Sequence, residues 1–193
     1  MPKAKSPDKM GEIQRVVARL FASKGYSSTS MREIARELGM NQSSLYHYFK
    51  GKEEILYTLM NDAMDEALAT LEEICASALS PEEMLLEVLD FYTKYYAGDQ
   101  VGLILLVNEM HSLSRPYYRV LLQKQRRYVH LIRSILEQLA ARKKMKGIHP
   151  TVATFAFFGM VHYTIKWYQK DGDVTLDELS RYFVEIFTHG ILR

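Results

Sequence analysis

The chain has 193 residues, of which 48% are hydrophobic and 25% charged, and this balance excludes a disordered chain and predicts a soluble globular protein. Its single cysteine, Cys75, excludes an intrachain disulfide. The longest apolar run, residues 101–107, is far shorter than the roughly 20 residues of a membrane span, so we expect a cytoplasmic protein.

Charge is distributed unevenly along the chain, although the formal net charge is only +2. Residues 1–52 hold ten Lys and Arg against four acidic residues, a net of +6, and the remainder carries −4. A basic N-terminal part on an acidic body predicts a polyanionic partner for that part alone.

The N-terminal part predicts three helices after a short arm. Residues 1–7 contain two prolines and no apolar periodicity, which indicates a flexible basic arm. A helical apolar stripe follows, and Gly25 ends it. Two shorter helices, over residues 31–38 and 41–49, are separated by Gly39. Ser30 and Glu33 have the spacing of a capping box at the start of the first of them.

The two short helices have the pattern of a DNA-binding helix-turn-helix. Such a motif needs a small residue where the helices cross, a glycine in the turn and an apolar residue that packs back on the first helix, and Ala35, Gly39 and Leu45 have the required spacing. Hydrogen-bonding side chains remain on the exposed face of the second helix, and further donors flank the motif. We expect the DNA contacts to come from Thr29, Ser30, Asn41, Gln42, Ser43, Ser44, Tyr46, His47 and Lys52.

From residue 52 the pattern is helical almost to the end of the chain. Apolar stripes and breakers predict helices from 52 to about 79, from 81 to about 98, from 101 to about 111, from 114 to a basic tail at 142, from 149 to before 171, and from 175 onward. The sequence therefore predicts an all-α fold of nine helices, with a helix-turn-helix domain over residues 8–51 and a larger domain over residues 52–193.

The segment from Tyr26 to Leu56, and above all its end LYHYFKGKEEIL, closely resembles the signature of the TetR family of transcriptional regulators. This resemblance covers roughly residues 10–56. It implies that Gln42, Ser43 and Tyr46 lie in the major groove, with Thr29, Tyr46, His47 and Lys52 near phosphates. It also implies that the rest of the chain is a TetR-like ligand-binding and dimerisation body.

The last two helices are the expected homodimer interface. The eighth helix is apolar nearly all round, so both of its faces must be buried, one of them against a second subunit. By resemblance, helices eight and nine form an isologous four-helix interface, which suits a palindromic operator. We predict that the interface contains Phe157, Val161, Ile165, Leu179, Phe183, Ile186, Phe187 and Gly190.

The body has no enzyme motif and no cluster with metal-ligand spacing, so we expect no catalytic residue, no metal and no cofactor. It is instead rich in aromatic and methionine side chains, and for any one of them a plain core position is the favoured interpretation. Some polar residues interrupt the apolar faces, as in a ligand pocket. The predicted pocket contains Met60, Met64, Phe91, Tyr95, Leu106, Glu109, Met110, Tyr118, Leu122, Gln125, Phe155, Phe158 and His162.

The effector remains open between two classes of small molecule. The long seventh helix and the aromatic eighth helix are similar to those of TetR members that regulate fatty-acid or sterol breakdown in response to acyl-CoA. Arg115, Lys124, Arg126 or Arg127 would then meet the phosphates. Drug-efflux regulators are the alternative, with Glu109 facing a cation. A purely architectural DNA-binding protein without an effector is an alternative of another class.

Overall fold

The computed structural model describes the chain from Pro7 to Arg193, and within these residues it forms nine α-helices and no strand, as predicted. The helices are α1 (Pro7–Lys24), α2 (Met31–Glu37), α3 (Gln42–Tyr46), α4 (Lys52–Ala76), α5 (Pro81–Gly98), α6 (Gln100–Asn108), α7 (Arg115–Ala141), α8 (Pro150–His162) and α9 (Leu176–Ile191). The predicted arm lies outside the described residues, except that Pro7 begins α1. No helix of residues 7–193 is both long enough and apolar enough to cross a membrane.

Helices α1, α2 and α3 pack around a small apolar core and form the head. Gly25 and Gly39 have φ values of +87° and +60° at the two turns, in the left-handed region that favours glycine. The Ser30 hydroxyl accepts a hydrogen bond from the Glu33 amide at the start of α2. The predicted capping box is only half formed, because the Glu33 carboxylate pairs with Lys24 of α1 instead of turning back to Ser30.

Helix α3 is shorter than predicted, ending at Tyr46 instead of near residue 49. Phe49 is 3% exposed and belongs to the core, so the chain turns inward after α3 to bury this ring before α4 begins. Burial of a phenylalanine is worth about 1.5–3 kcal/mol, more than one further turn of a short helix supplies.

Helices α4 and α7 run side by side in the same direction and form the long axis of the body. The rings of Tyr57 and Tyr117 stack at 4.2 Å near the N-terminal ends of both helices. Farther along, Arg127 Nε lies 2.9 Å from a carboxylate oxygen of Glu72. The basic tail that follows α7 therefore lies at the end of the body away from the head.

Helix α8 ends earlier than predicted, at His162, and a 3₁₀ turn over Tyr163–Lys166 follows it. The Thr164 hydroxyl donates to the carbonyl of Val161 at 2.6 Å, a local bond that competes with continued helix. Thr175 caps α9 as predicted, and it forms a complete capping box with Glu178.

Candidate DNA-binding face and ligand cavity

The outer face of α3 carries free polar side chains. Gln42, Ser43, Tyr46 and His47 are exposed, with Tyr46 at 48%. In the described part of the chain none of these four side chains has a hydrogen-bonding partner. Donors and acceptors held on a short helix without internal partners are available to base edges and phosphates.

The remaining predicted DNA contacts divide into surface and interior positions. Asn41 and Ser30 are exposed and Ser44 is half-buried. Thr29 is 1% exposed, and its hydroxyl donates to the Gly25 carbonyl at 3.0 Å. Because this hydroxyl is buried and bonded within the head, the structure gives Thr29 a structural role in place of the predicted phosphate contact.

Lys52 also differs from its predicted role, because its ammonium is already bonded inside the molecule. Its Nζ donates to the carbonyls of Tyr26 at 2.8 Å and Thr29 at 3.0 Å, and it lies 4.3 Å from the centre of the Tyr26 ring. Lysine ammonium groups stabilise exposed carbonyl ends and aromatic faces. Lys52 therefore fastens the turn between α1 and α2 to the start of α4.

A cavity of about 610 Å³ lies between the head and the body. One wall is α1, and the other walls are α4, the end of α5 and α6. It is lined by Gly11, Gln14, Arg15, Ala18, Arg19, Leu59, Met60, Asp62, Ala63, Met64, Glu66, Tyr95, Tyr96, Asp99, Val101, Gly102, Leu103, Leu105 and Leu106. Four of the predicted pocket residues are among them: Met60, Met64, Tyr95 and Leu106.

The deeper interior of the body is filled by an aromatic cluster of Tyr92, Tyr96, Tyr128, Phe158 and His162. The ring of His162 stacks on Phe158 with centroids 5.7 Å apart, and its Nε2 lies 2.9 Å from the Tyr92 hydroxyl. The Tyr96 hydroxyl donates to that of Tyr128 at 3.1 Å, which in turn donates to the Met64 carbonyl at 3.1 Å. The predicted pocket residues Phe158 and His162 thus belong to a packed region, not to an open space.

Burial shifts the pKa values of this cluster. Desolvation lowers the pKa of His162 below its ordinary value and keeps the imidazole neutral. Desolvation also raises the pKa of Tyr96 to about 12 and that of Tyr92 well above its usual range. The cluster is therefore an uncharged hydrogen-bonded network at neutral pH.

The other predicted pocket residues lie outside the cavity. Glu109 Oε1 accepts the Tyr26 amide of the head at 3.4 Å, and its other oxygen accepts the Ser112 hydroxyl. Tyr118 and Phe155 are exposed at the surface. The rest are buried or half-buried elsewhere: Phe91, Met110, Leu122 and Gln125. Their role in effector binding stays a prediction. The sequence did not place them relative to this cavity, because polar interruptions of an apolar stripe do not reveal which neighbour the stripe packs against.

The predicted interface residues of α8 and α9 are mostly inward-facing. Phe157, Val161, Leu179, Phe183 and Phe187 are buried within the single chain. The rings of Phe157 and Phe187 are 5.4 Å apart, so these residues join α8 to α9 and leave no surface for a partner. Ile165 is half-buried, whereas Ile186 and Gly190 are exposed. The outward apolar side chains are Val152, Phe155, Tyr163, Trp167, Tyr182 and Ile186.

The sequence interpretation missed the contribution of α1 to the cavity. Gly11, Gln14, Arg15 and Ala18 have helical spacing, on a different face from the buried Ile13 and Val17. Two small residues in this second stripe are a signal that something packs closely there. The sequence predicts α1 only as part of the head and therefore does not indicate this cavity.

The basic side chains predicted to meet phosphates differ in their partners. Lys124 pairs with Asp65 and Arg127 with Glu72, whereas Arg115 and Arg126 are exposed. No three His, Cys, Asp or Glu side chains in the described residues lie close enough together to hold a metal ion.

Comparisons with known proteins match both the head and the body to one family of regulators. Residues 15–58 match the family of bacterial regulatory proteins named after TetR, and residues 78–191 match the tetracyclin repressor-like C-terminal domain. The chain is 26% identical to the fatty acid metabolism regulator protein of Bacillus subtilis (strain 168), over 98% of both chains. It is 24% identical to the transcriptional repressor KstR2 of Rhodococcus jostii (strain RHA1), over 93% of this chain and 89% of the relative.

A solved structure extends the similarity to a complex with both kinds of partner. AibR, crystallised with isovaleryl coenzyme A and operator DNA, has a TM-score of 0.83 and 26% identity, covering 92% of this chain and 97% of that one. Both family models fall on the head and body described above, and together they span most of the chain. The chain belongs to the TetR family and is a helix-turn-helix transcriptional regulator.

Proposed function

We propose that this regulator binds a palindromic operator as a homodimer, represses transcription and is released by an acyl-CoA thioester. The observation that carries the effector class is the similarity to AibR, whose structure contains both isovaleryl coenzyme A and operator DNA. The similarity to a fatty acid metabolism regulator along the whole chain supports the same class. Such a regulator works in the cytoplasm, where the operator is, and needs no catalytic group.

The operator contacts that we propose are on α3. Gln42 and Ser43 offer hydrogen bonds to base edges, and Tyr46 and His47 reach bases or phosphates. Asn41, Ser44 and Ser30 lie beside them and contribute phosphate contacts. The head is the basic part of the chain, which supplies the salt-dependent attraction to DNA.

The homodimer would form through the outward apolar face of α8 and α9. Phe155 of α8 is 55% exposed and Ile186 of α9 63%, and the exposed Val152 of α8 and Tyr163, directly after α8, are near Phe155 in sequence. A Cβ added at Gly159 or Gly190 would meet nothing within 4 Å in the single chain, so both glycines leave room for close approach of a partner helix. Two-fold pairing of this face would present two α3 helices to a palindrome.

A cationic effector is the second candidate, and one observation favours it. The cavity is lined by three carboxylates, those of Asp62, Glu66 and Asp99, and by two guanidinium groups, those of Arg15 and Arg19. A net negative lining attracts a hydrophobic cation of the kind that drug-efflux regulators bind. The open cavity favours either kind of effector-binding regulator over an architectural protein.

The test is operator binding by the full-length protein. Fluorescence anisotropy would measure binding to labelled DNA flanking its own coding region, at two salt concentrations, with palmitoyl-CoA, CoA alone or a hydrophobic quaternary ammonium compound. We expect specific, salt-sensitive binding that palmitoyl-CoA abolishes and CoA alone does not. Release by the cation alone would replace the acyl-CoA assignment with the second candidate.

The control variant is Gln42→Ala. It should bind the flanking DNA weakly while binding palmitoyl-CoA like the wild type in the absence of DNA, because α3 does not line the cavity. Equal loss of both activities would contradict the separation of operator and effector sites.

A further inference from the structure

We propose that the cavity between the head and the body holds the acyl chain of the effector, and that Arg15 and Arg19 of α1 pair with its anionic group. This inference rests on the proposed acyl effector and adds the site and the mode of action. It makes the DNA-binding head itself one wall of the sensor.

The size and lining of the cavity suit an acyl chain. A volume of about 610 Å³ is within the range of roughly 300–1,000 Å³ typical of small-molecule sites. Its apolar lining comes from two helices that face α1. These are α4, with Leu59, Met60 and Met64, and α6, with Leu103, Leu105 and Leu106.

The charged groups around the cavity differ in their hydrogen bonding, because each carboxylate already accepts a bond from a neutral donor. Asp62 accepts a hydrogen bond from Gln14 at 2.9 Å, Glu66 from the Tyr95 hydroxyl at 2.9 Å, and Asp99 from the Gly102 amide at 3.1 Å.

The two guanidinium groups lack a carboxylate partner, and the Arg19 Nε donates only to the Arg15 carbonyl, at 3.4 Å. Among the side chains of residues 9–193, no carboxylate lies within ion-pair distance of Arg15 or Arg19, and both arginines are exposed at the mouth of the cavity. Guanidinium groups pair in a bidentate manner with carboxylates and phosphates. The phosphates beyond the pantetheine arm of an acyl-CoA, or the carboxylate of a free fatty acid, would therefore find guanidinium groups without an ion-pair partner here.

The aromatic cluster is a poorer site for the same ligand. Entry there would break the bond between Tyr92 and His162 and the chain of bonds through Tyr96 and Tyr128. Each buried group left unpaired costs about 1–3 kcal/mol. The cavity between head and body accepts a chain without breaking a buried network.

Occupation of this cavity would act on the head directly. The bond between Gln14 of α1 and Asp62 of α4 crosses the same gap, and the end of α6 holds the head through Glu109 and the Tyr26 amide. A ligand that separates α1 from α4 and α6 strains both contacts and reorients α3. Binding of ligand and of operator then favour different head positions, which is the required coupling.

The first test fills the cavity from opposite walls with Ala18→Phe on α1 and Ala63→Phe on α4. The matched control is Ala69→Phe, an exposed position on α4 outside the cavity. Calorimetry on the full-length protein without DNA would compare palmitoyl-CoA with hexanoyl-CoA. We expect at least about tenfold weaker binding of palmitoyl-CoA to either filled variant, a smaller loss for hexanoyl-CoA, and none in the control. Wild-type affinity in a folded filled variant would overturn the site.

The second test concerns the anion. Arg15→Gln with Arg19→Gln should weaken binding of palmitoyl-CoA about tenfold, whereas Arg119→Gln with Arg142→Gln at the two ends of α7, both exposed and outside the cavity, should leave it unchanged. Palmitate in place of palmitoyl-CoA shows whether the paired anion is a carboxylate or a phosphate. A loss confined to the α7 pair would overturn the role of α1.

The outcomes separate this inference from the proposed function. If palmitoyl-CoA releases the operator but binds all cavity variants with wild-type affinity, the proposed function stands and only the site in this cavity is rejected. Binding in the cavity without operator release would remove only the proposed function. Absence of any acyl-CoA or palmitate binding by the wild type would remove both.

Discussion

Polar side chains gather in two regions of this molecule, the outer face of α3 and the aromatic cluster of the body. On α3, the side chains of Gln42 and Tyr46 have no partner within residues 7–193. In the cluster, the polar atoms of Tyr92 and Tyr128 have partners within 3.1 Å. A polar group in the interior needs such a partner, whereas one at the surface can remain free for a ligand.

Polar groups with partners and polar groups without them should therefore affect different properties of the protein. Partnered groups hold the fold and should give stability effects when removed, while free groups should give binding effects at unchanged stability. Four variants test that distinction, in decreasing order of expected effect.

The largest effect is expected in the aromatic cluster. Tyr92→Ala removes a ring that packs on Tyr96, 4.4 Å away, and on Phe158, 5.2 Å away, and it leaves His162 without its partner. We expect the free energy of unfolding to fall by about 3–5 kcal/mol. Urea unfolding at fixed protein concentration would measure it, with the exposed Tyr118→Ala as the control. A loss under about 1 kcal/mol would mean that the cluster is loosely packed.

The free face of α3 should behave in the opposite way. Gln42→Ala should weaken operator binding by about 1–3 kcal/mol, which is roughly a tenfold to a hundredfold rise in Kd, at unchanged unfolding free energy. Anisotropy with labelled operator would measure it, alongside Gln123→Ala at an exposed position of α7. Undiminished affinity would exclude Gln42 from base contact.

Lys52 tests the distinction within the DNA-binding part of the molecule, because its ammonium group already has hydrogen-bond partners there. Lys52→Met removes the ammonium from the carbonyls of Tyr26 and Thr29 and should lower the unfolding free energy by about 2 kcal/mol. Thermal unfolding would compare it with Lys50→Met, whose side chain is exposed. Equal melting temperatures of the two variants would mean that the bonds of Lys52 do not stabilise the fold and that its ammonium group is available to DNA.

The smallest effect is the pH dependence that His162 imposes. Burial lowers its pKa in the folded chain, so below pH about 6.5 the unfolded chain binds a proton that the folded chain does not. Stability therefore falls as the pH decreases through this range, by at most about 1.4 kcal/mol per pH unit. In urea unfolding at several pH values, His162→Gln should flatten the dependence of stability on pH, whereas the exposed His111→Gln should not. Parallel pH profiles for the wild type and His162→Gln would contradict this prediction.

The sequence predicts what is local in this fold and fails where two distant helices meet. The spacing of Ala35, Gly39 and Leu45 was enough to assign the turn and to leave Gln42 and Tyr46 outward, because a single helical phase decides both. The nine helices followed from apolar stripes and their breakers for the same reason.

Helix α8 shows why the binding faces were harder to predict. It is apolar on nearly every side, so its composition does not distinguish Phe157, which packs on α9, from Phe155, which faces outward. The cavity depends on α1 lying against α6, a contact between residues about ninety positions apart, and no periodicity within either helix encodes that contact.

The fastening of Lys52 has a consequence for module exchange. Lys52, which holds the turn between α1 and α2, is the first residue of α4, a helix that otherwise belongs to the body. A chimera joined between Gly51 and Lys52 would transfer this head without the lysine that bonds its Tyr26 and Thr29 carbonyls. Its stability would then depend on a cation at the same position of the host helix. A junction within α4, after the buried Ile55 and Leu56, would keep Lys52 with the head. The head and its operator specificity would then be transferred with this interaction intact.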